Sequence, residues 1–405
     1  MTTASEHLEA EVLIVGAGPA GTAAAAHLGQ LGVNDVLLVD KHDFPRDKTC
    51  GSGISPRGIG VLRELGVWAD VAPHAYKITG IRLVTPSGHD SWQSAGDAVE
   101  AVVCQRRVLD HLILKRALAN GVRFVPHVSA ERVIESNGRV VGVAAKDGRE
   151  LRGRVTIIAG GTHCQLVPDI RARGLPFGLT RSVRRPRKLI QAIMGWWDDV
   201  PFREGHLEMI FDKDLAPYYG WLFPESPTRV NIGITYEDGA PHRWGRARPQ
   251  TPTSPDSLKR NARDVFQRFL DKYYGERLAR ARQVGAWKGH PIAYSYRIEG
   301  LSSPGRLVAG ESGLLTHPAT AEGIYQGMKS GMLAAEALRD MIVGGKPEIE
   351  AFAAYEASVR KAFTASFLGG GVFRTLVQTP ALDWLVKIGE QPIVQSAAAR
   401  VLAAM

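Results

Sequence analysis

The sequence predicts an α/β protein: a Rossmann-type domain, an interleaved mixed β-sheet domain with α+β character, and a helical C-terminal region. Three observations lead to this prediction. Residues 11–41 contain a strand, a glycine-rich turn, a helix and a second strand in succession. Residues 75–103 and 180–295 are rich in Trp, Tyr and Arg and show the alternation of an antiparallel sheet. From Glu348 the pattern is mostly helical, with an expected break at residues 369–371.

The first unit has the spacing G-x-G-x-x-G between its strand and its helix. Gly16 permits a tight turn, Gly18 lets the backbone approach a pyrophosphate, and Gly21 lets the helix pack on the strand. Pro19 and Ala20 begin the helix, whose free N–H groups attract phosphate. The motif therefore predicts a bound dinucleotide rather than a plain strand-to-helix turn.

The strands on either side of this helix are short apolar runs, residues 12–15 and 36–39, as expected of strands buried on both faces. Asp40 and Lys41 follow the second strand, about 20 residues after the last glycine. A carboxylate at this place can accept the ribose hydroxyls of an adenosine. We therefore expect both residues to lie at the dinucleotide.

Later segments of the chain supply more elements of the same domain. Residues 104–121 predict a helix, and residues 122–125, 155–159 and 307–309 predict strands. Asn137-Gly138 predicts a tight hairpin turn. The segments divide into three predicted regions: a discontinuous nucleotide-binding domain (8–74, 104–179 and 296–345), a sheet domain (75–103 and 180–295) and a helical region (346–405).

The composition is that of an ordinary soluble globular protein, with 44% hydrophobic and 22% charged residues among 405. No apolar run reaches the ~18 residues of a membrane span, and the N-terminal residues do not resemble a signal peptide. The three cysteines are too scattered for a disulfide framework or a zinc site. We expect a cytoplasmic protein without a bound metal.

The net charge of +9 is distributed unevenly. Residues 171–188 hold seven cationic side chains and no acid. This segment is either a contact surface for an anionic partner, such as a membrane or an acidic carrier protein, or a solvated loop. No nucleic-acid-binding motif accompanies the charge, so we expect no nucleic-acid partner.

Four motifs, taken together, resemble the geranylgeranyl reductase family of flavoproteins, within the p-hydroxybenzoate hydroxylase-like superfamily. They are VGAGPAG (15–21), FPRDKTCGSGISPRGIGVLRELGV (44–67), YGWLFP (219–224) and GESGLLTHPATAEGIYQGMKSG (310–331). The second and third are the more specific to the family. The resemblance covers most of residues 8–340 and implies that the dinucleotide is FAD.

The resemblance also implies roles for individual residues. Cofactor contacts are expected at Lys48, Cys50, Gly51, Arg106, Gly310, Glu311, Gly323 and Ile324. Cys50 is expected beside both flavin and substrate, where a thiol can donate a proton. The aromatic residues Tyr219, Trp221 and Phe223 alternate, so on a strand they share one face, and they are expected to line the substrate cavity.

Two departures from the family pattern bear on function. Relatives have Gly-Asp where this chain has Gly310-Glu311, so a contact to the ribityl chain is expected to change. Hydroxylases of this fold have Asp-Gly where this chain has Gly160-Gly161, and that aspartate is linked to NADPH use. The electron donor, NADPH, NADH or ferredoxin, therefore stays open.

The activity implied is that of an FAD-dependent reductase acting on carbon–carbon double bonds of an apolar, isoprenoid-like substrate. The same fold also serves monooxygenases and dehydrogenases of secondary metabolites, which are the alternative. A flavin-binding protein without catalytic activity is a third reading.

Overall fold

Two eight-stranded sheets and one three-stranded sheet organise the part of the chain that the computed structural model describes, residues 8–94, 100–167, 188–237 and 261–390. The strands of these residues, in chain order, are β1 (Leu8–Val15), β2 (Val36–Val39), β3 (Gly53–Ile54), β4 (Tyr76–Ile78), β5 (Gly80–Val84), β6 (Asp90–Ser94), β7 (Ala101–Val103), β8 (Arg123–Val125), β9 (Ala130–Ser136), β10 (Arg139–Ala145), β11 (Glu150–Ile158), β12 (Lys188–Asp198), β13 (His206–Ile210), β14 (Gly220–Pro224), β15 (Arg229–Tyr236), β16 (Arg282–Gln283), β17 (Lys288–Tyr294), β18 (Ser302–Ser303) and β19 (Arg306–Val308). The helices are α1 (Pro19–Gln30), α2 (Pro56–Glu64), α3 (Trp68–Val71), α4 (Arg106–Ala119), α5 (Ala262–Leu278), α6 (Ile324–Ile342), α7 (Glu348–Leu376) and α8 (Ala381–Gly389).

The first sheet is the parallel sheet that the glycine-rich unit predicts. Its order is β18-β19-β11-β1-β2-β8, and β19, β11, β1, β2 and β8 run parallel to one another. The β9–β10 hairpin extends it from β11 and turns at Asn137-Gly138, both with positive φ. β1 and β2 have continuous apolar runs rather than alternating sequences because both faces of these strands are buried.

Helices α1, α4 and α6 bury their apolar side chains on one face of this sheet. α1 and α6 pack so closely that a Cβ on Gly331 would lie 2.1 Å from the carbonyl oxygen of Ala20. This close approach brings the N-terminal ends of both helices to the same side of the domain. Small residues along the two helices are therefore a packing requirement.

The second sheet has the order β16-β12-β15-β14-β13-β5-β6, with β17 also paired to β12. Helix α5 covers one face, where the ring of Phe269 occupies the space that a side chain at Gly220 would need. All its strands lie within 75–103 and 180–295. We therefore keep the predicted three-region division as a proposal.

The C-terminal helix α7 is continuous from Glu348 to Leu376, so the expected break at residues 369–371 is wrong. A Cβ on Gly370 would lie 2.8 Å from His317 Cε1, and one on Gly371 would lie 3.3 Å from the Tyr296 ring. The glycines therefore allow close packing of an unbroken helix. Among the described residues, no helix combines the length and apolarity required to cross a membrane.

Candidate functional site

A cleft of about 1620 Å³ is lined by both large sheets, the loop before α2 and the C-terminal helices. It brings together the predicted site residues with the exception of Gly21. Those lining it are Gly16, Gly18, Pro19, Ala20, Asp40, Lys41, Lys48, Cys50, Gly51, Arg106, Tyr219, Trp221, Phe223, Gly310, Glu311, Gly323 and Ile324.

The three glycines of the first turn have different surroundings. Gly16 has φ +105°, and a Cβ there would lie 2.5 Å from the carbonyl oxygen of Ala159. A Cβ on Gly21 would lie 1.8 Å from the carbonyl oxygen of Gly16. Gly18 is different, since a Cβ there would meet only Arg46 Nη2, at 3.8 Å. Packing thus explains Gly16 and Gly21, whereas Gly18 leaves open space facing the cleft.

Asp40 fixes the shape of this turn as well as lining the cleft. Its Oδ2 accepts a hydrogen bond from the backbone N–H of Ala17 at 2.7 Å, and its Oδ1 accepts one from His42 at 2.9 Å. Each carboxylate oxygen can accept a further bond, so Asp40 can still bind ribose hydroxyls. Lys41 lies beside it on the cleft wall.

Arg106 is buried at the start of α4 and pairs with Asp110 one turn later. Its Nε and Nη2 donate to the two carboxylate oxygens at 2.7 and 2.8 Å. Arg46 also contacts Asp110, with Nη2 3.1 Å from Oδ2. Two guanidinium groups therefore share one carboxylate, which leaves excess positive charge at this wall of the cleft.

Lys48 and His290 meet across the cleft. Burial and, next in size, the charge of nearby Lys48 lower the pKa of His290 to about 3, so the imidazole is neutral. Lys48 Nζ donates to His290 Nε2 at 2.9 Å. Burial and the neighbouring Arg106 also lower the pKa of Lys48. No local pattern indicates His290, because it lies 242 positions from Lys48 along the chain.

Cys50 lies half-buried in the loop before α2, and its Sγ accepts a hydrogen bond from the N–H of Ser52 at 3.3 Å. The next residue packs directly against the aromatic side chains of β14. A Cβ on Gly51 would lie 3.2 Å from Trp221 Nε1 and 3.3 Å from the Phe223 ring. A side chain at position 51 would therefore press against the aromatic side chains of β14.

Tyr219, Trp221 and Phe223 form a continuous aromatic wall, with neighbouring ring centroids 6.3 and 6.0 Å apart. Trp221 is only 5% exposed, and its Nε1 donates to Asn231 Oδ1 at 2.7 Å. Trp221 lines the cleft and also packs in a hydrophobic core cluster. The reason is that the cleft is bounded by the same sheet face that packs the interior.

The fourth motif supplies a 3₁₀ turn, Gly310–Gly313, and the N-terminal end of α6. Glu311 Oε1 accepts a hydrogen bond from the N–H of Ala293 on β17 at 3.0 Å, a contact that the longer glutamate side chain reaches. α6 starts at Ile324, and no side chain caps it. A Cβ on Gly323 would meet only Thr316, at 3.5 Å. The helix N-terminus therefore faces the cleft with free N–H groups.

Glu322 is a site residue that the sequence analysis missed. It lines the cleft, and its Oε1 is buried with no hydrogen-bond partner among the described residues. Burial raises the pKa of this carboxyl group above its ordinary value, although Ser55 and Gln326 oppose the shift. Its position inside the fourth motif was the available signal. This carboxyl group lies close to Tyr219 of the aromatic wall.

The basic segment 171–188 lies outside the described residues except for Lys188, at the start of β12. The contact surface expected there stays a prediction.

A family model described as an FAD binding domain matches residues 9–169. Menaquinone reductase from Mycobacterium tuberculosis is 32% identical over 351 residues, which is 81% of this chain and 76% of the relative. Digeranylgeranylglycerophospholipid reductase from Thermoplasma acidophilum is 23% identical over 95% of this chain and 92% of its own. The chain belongs to the geranylgeranyl reductase family of FAD-dependent oxidoreductases.

Solved structures agree with this fold. A geranylgeranyl bacteriochlorophyll reductase-like protein from Thermoplasma acidophilum has a TM-score of 0.79 at 21% identity, covering 98% of this chain and 96% of that one. The flavin-dependent brominase Bmp2 has a TM-score of 0.76 at 19% identity, covering 98% and 93%. Members of this fold thus include enzymes of different chemistry, and the site must decide the reaction.

The site of this oxidoreductase fits FAD. Two uncapped helix N-termini, those of α1 and α6, face one cleft and suit the anionic parts of a dinucleotide. The open space at Gly18 and Gly323 leaves room for a ligand to touch the backbone. FAD is therefore the cofactor, as the four motifs predicted.

Proposed function

We propose that this oxidoreductase reduces carbon–carbon double bonds in the prenyl chain of a lipid-like substrate. The observation that carries the proposal is the division of the cleft into a charged end and a long apolar end. Charged side chains, among them Arg46, Lys48 and Arg106, lie at the end formed by the glycine turn. At the other end the second sheet and helices α7 and α8 contribute mainly aliphatic and aromatic side chains.

The cleft is large enough for FAD and a substrate together. Its volume of about 1620 Å³, which includes the charged end proposed to hold FAD, exceeds the ~300–1,000 Å³ of ordinary ligand pockets. The relatives named above are reductases of menaquinone and of digeranylgeranylglycerophospholipid. An apolar wall without charged groups suits a hydrocarbon chain, because a hydrocarbon cannot pair or hydrogen-bond with a charge that its binding would bury.

The residues proposed to hold FAD are those of the charged end. The N–H groups around Gly18 would bind the pyrophosphate and Asp40 the adenosine ribose. Gly310 and Glu311, which line the cleft, would contact the ribityl chain, and the α6 N-terminus would face the ring system. Bound and reduced FAD supplies the hydride that a double bond accepts.

Reduction of a double bond needs a proton as well, and two side chains of the cleft are candidates. Cys50 lies between the charged end and the aromatic wall. Glu322 is also close to Tyr219, and burial raises the pKa of its carboxyl group. The aromatic wall would hold the prenyl chain against these groups and exclude water.

The test is anaerobic turnover of purified protein with a chemical reductant and a polyprenyl substrate. Each reduced double bond should add two hydrogens to the product mass, with no oxygen required. A product that gains oxygen, and forms only in air, would instead identify a monooxygenase. A matched control is the same incubation with flavin-free Gly18→Val protein.

A further inference from the structure

An exposed apolar surface lies on the last two described helices. Residues 362–373 of α7, AFTASFLGGGVF, contain no charged side chain over about three turns. Leu368 and Val372, one turn apart, are 59% and 62% exposed. On α8, Trp384 and Leu385 are 64% and 42% exposed. We call these four side chains the apolar rim.

The apolar rim is continuous with the cleft. Val372 and Leu385 are exposed to solvent and also line the cleft, one from each helix. Between them the wall continues inward through Phe373, Leu382 and Val386. The apolar end of the cleft therefore reaches the surface at this rim, along side chains that carry no charge.

Cationic side chains flank the rim. Lys361 precedes the uncharged stretch of α7, and Lys387 is exposed on α8, one turn after Trp384. The nearby acid Asp383 is engaged with Thr85 and Ser87. An exposed apolar strip with a tryptophan and flanking lysines has the pattern of a surface that lies in the headgroup region of a bilayer.

We propose that the apolar rim docks on a lipid bilayer with anionic headgroups, and that the prenyl chain of the substrate enters the cleft from that bilayer between α7 and α8. That the entering molecule is a prenyl chain rests on the proposed function. A second copy of the protein is a poorer occupant, because it would cover the opening through which the substrate must pass.

The test compares two double variants in vesicle sedimentation. Leu368→Gln/Trp384→Gln removes two rim residues that do not line the cleft, whereas Val343→Gln/Ile349→Gln removes two residues that are similarly exposed elsewhere, at 63% and 56%. The probe is a vesicle of phosphatidylcholine and phosphatidylglycerol. We expect wild type and control to bind equally and the rim variant to bind at least about tenfold more weakly.

Activity separates this proposal from the proposed function. With a short prenyl alcohol in solution the rim variant should turn over like wild type, and with a long polyprenyl substrate in vesicles it should be slower. Equal vesicle binding by rim variant and wild type would overturn the docking surface. The docking surface would also be overturned if wild type were a dimer and the rim variant a monomer. Absence of turnover by wild type on either substrate would count against the proposed function, while vesicle binding still decides the docking surface.

Discussion

At the scale of single residues, the motif glycines were predictable, but their reasons were only partly so. Gly21 is required by its contact with the nearby backbone of Gly16, and Gly16 by its contact with the backbone of Ala159, which is distant in the sequence. Gly51 is expected to contact the cofactor, and a Cβ there would in addition lie 3.2 Å from Trp221 Nε1 and 3.3 Å from the Phe223 ring. A spacing motif indicates that glycine is needed; it does not say whether the neighbour is a ligand or the protein itself.

Gly18 is the glycine for which a ligand is the remaining explanation, and it gives the first prediction. Its φ of −76° suits any residue, so Gly18→Val should fold. The branched side chain should block the approach of the pyrophosphate and remove most of the bound flavin. The measurement is flavin absorbance per protein. Gly275→Val, at a helix position with open space, is the control and should retain its flavin. A folded Gly18→Val protein with full flavin content would contradict the assignment.

The proton source gives the second prediction. Replacing the true donor should slow turnover ~10²–10⁴-fold without loss of flavin. Because burial raises the pKa of Glu322, we expect Glu322 to be the proton donor. Turnover should then fall as pH rises through this pKa, because the carboxyl group loses its proton. Glu322→Gln should abolish this limb of the pH–rate profile.

Cys50→Ala is the matched comparison for Glu322→Gln. If turnover of Cys50→Ala falls ~10²–10⁴-fold while Glu322→Gln stays near the wild-type rate, the proton comes from Cys50. Wild-type rates in both variants would leave neither residue as the donor.

The aromatic wall gives the third prediction. Trp221→Ala should weaken substrate binding and also lower the free energy of unfolding by ~3–5 kcal/mol, because the residue is buried and bonded to Asn231. Phe223→Ala, at a half-buried position, should weaken binding with a smaller loss of stability. Denaturant unfolding and substrate titration of both variants provide the check. Unchanged substrate affinity in both would make the wall a packing feature only.

At the scale of elements, strands and helices near the glycine turn were predictable because their signals are local. The packing of α7 was not, since three glycines in a row normally indicate a break. They are tolerated because Gly370 and Gly371 fit against His317 and Tyr296, residues distant in the sequence. Cross-element contacts of this kind leave no local pattern.

His317 joins the loop before α6 to α7 and gives the fourth prediction. Its ring contacts the Ser366 carbonyl oxygen at 3.2 Å and the Thr320 N–H at 3.1 Å, and burial lowers its pKa to about 4. A histidine with a lowered pKa takes up a proton on unfolding, so its contribution to stability is lost as pH falls from 6.5 towards 4. Between pH 7.5 and 5 this loss should be about 2 kcal/mol.

The measurement for His317 is denaturant unfolding at both pH values. His317→Asn should be less stable at pH 7.5 but should lose about 2 kcal/mol less than wild type on going to pH 5. Equal losses in wild type and variant would show that His317 does not titrate in this range.

At the scale of the whole molecule, the interleaving of a Rossmann-type domain with a sheet domain was predictable from the order of motifs. The cleft itself was predictable at its charged end, where the motifs converge, and at the aromatic wall. Its apolar end was not, because α7 and α8 contribute to it from a region that carries none of the four motifs. Glu322 and His290 likewise acquire their surroundings only when distant segments meet.

We expect flavin in this cleft to transfer reducing equivalents to a prenyl double bond. The decisive measurement is the flavin absorbance of anaerobically reduced protein after addition of a polyprenyl substrate. The flavin should be reoxidised without oxygen, with one flavin oxidised for each double bond reduced. Flavin that stays reduced until oxygen is admitted, whatever prenyl substrate is present, would contradict it.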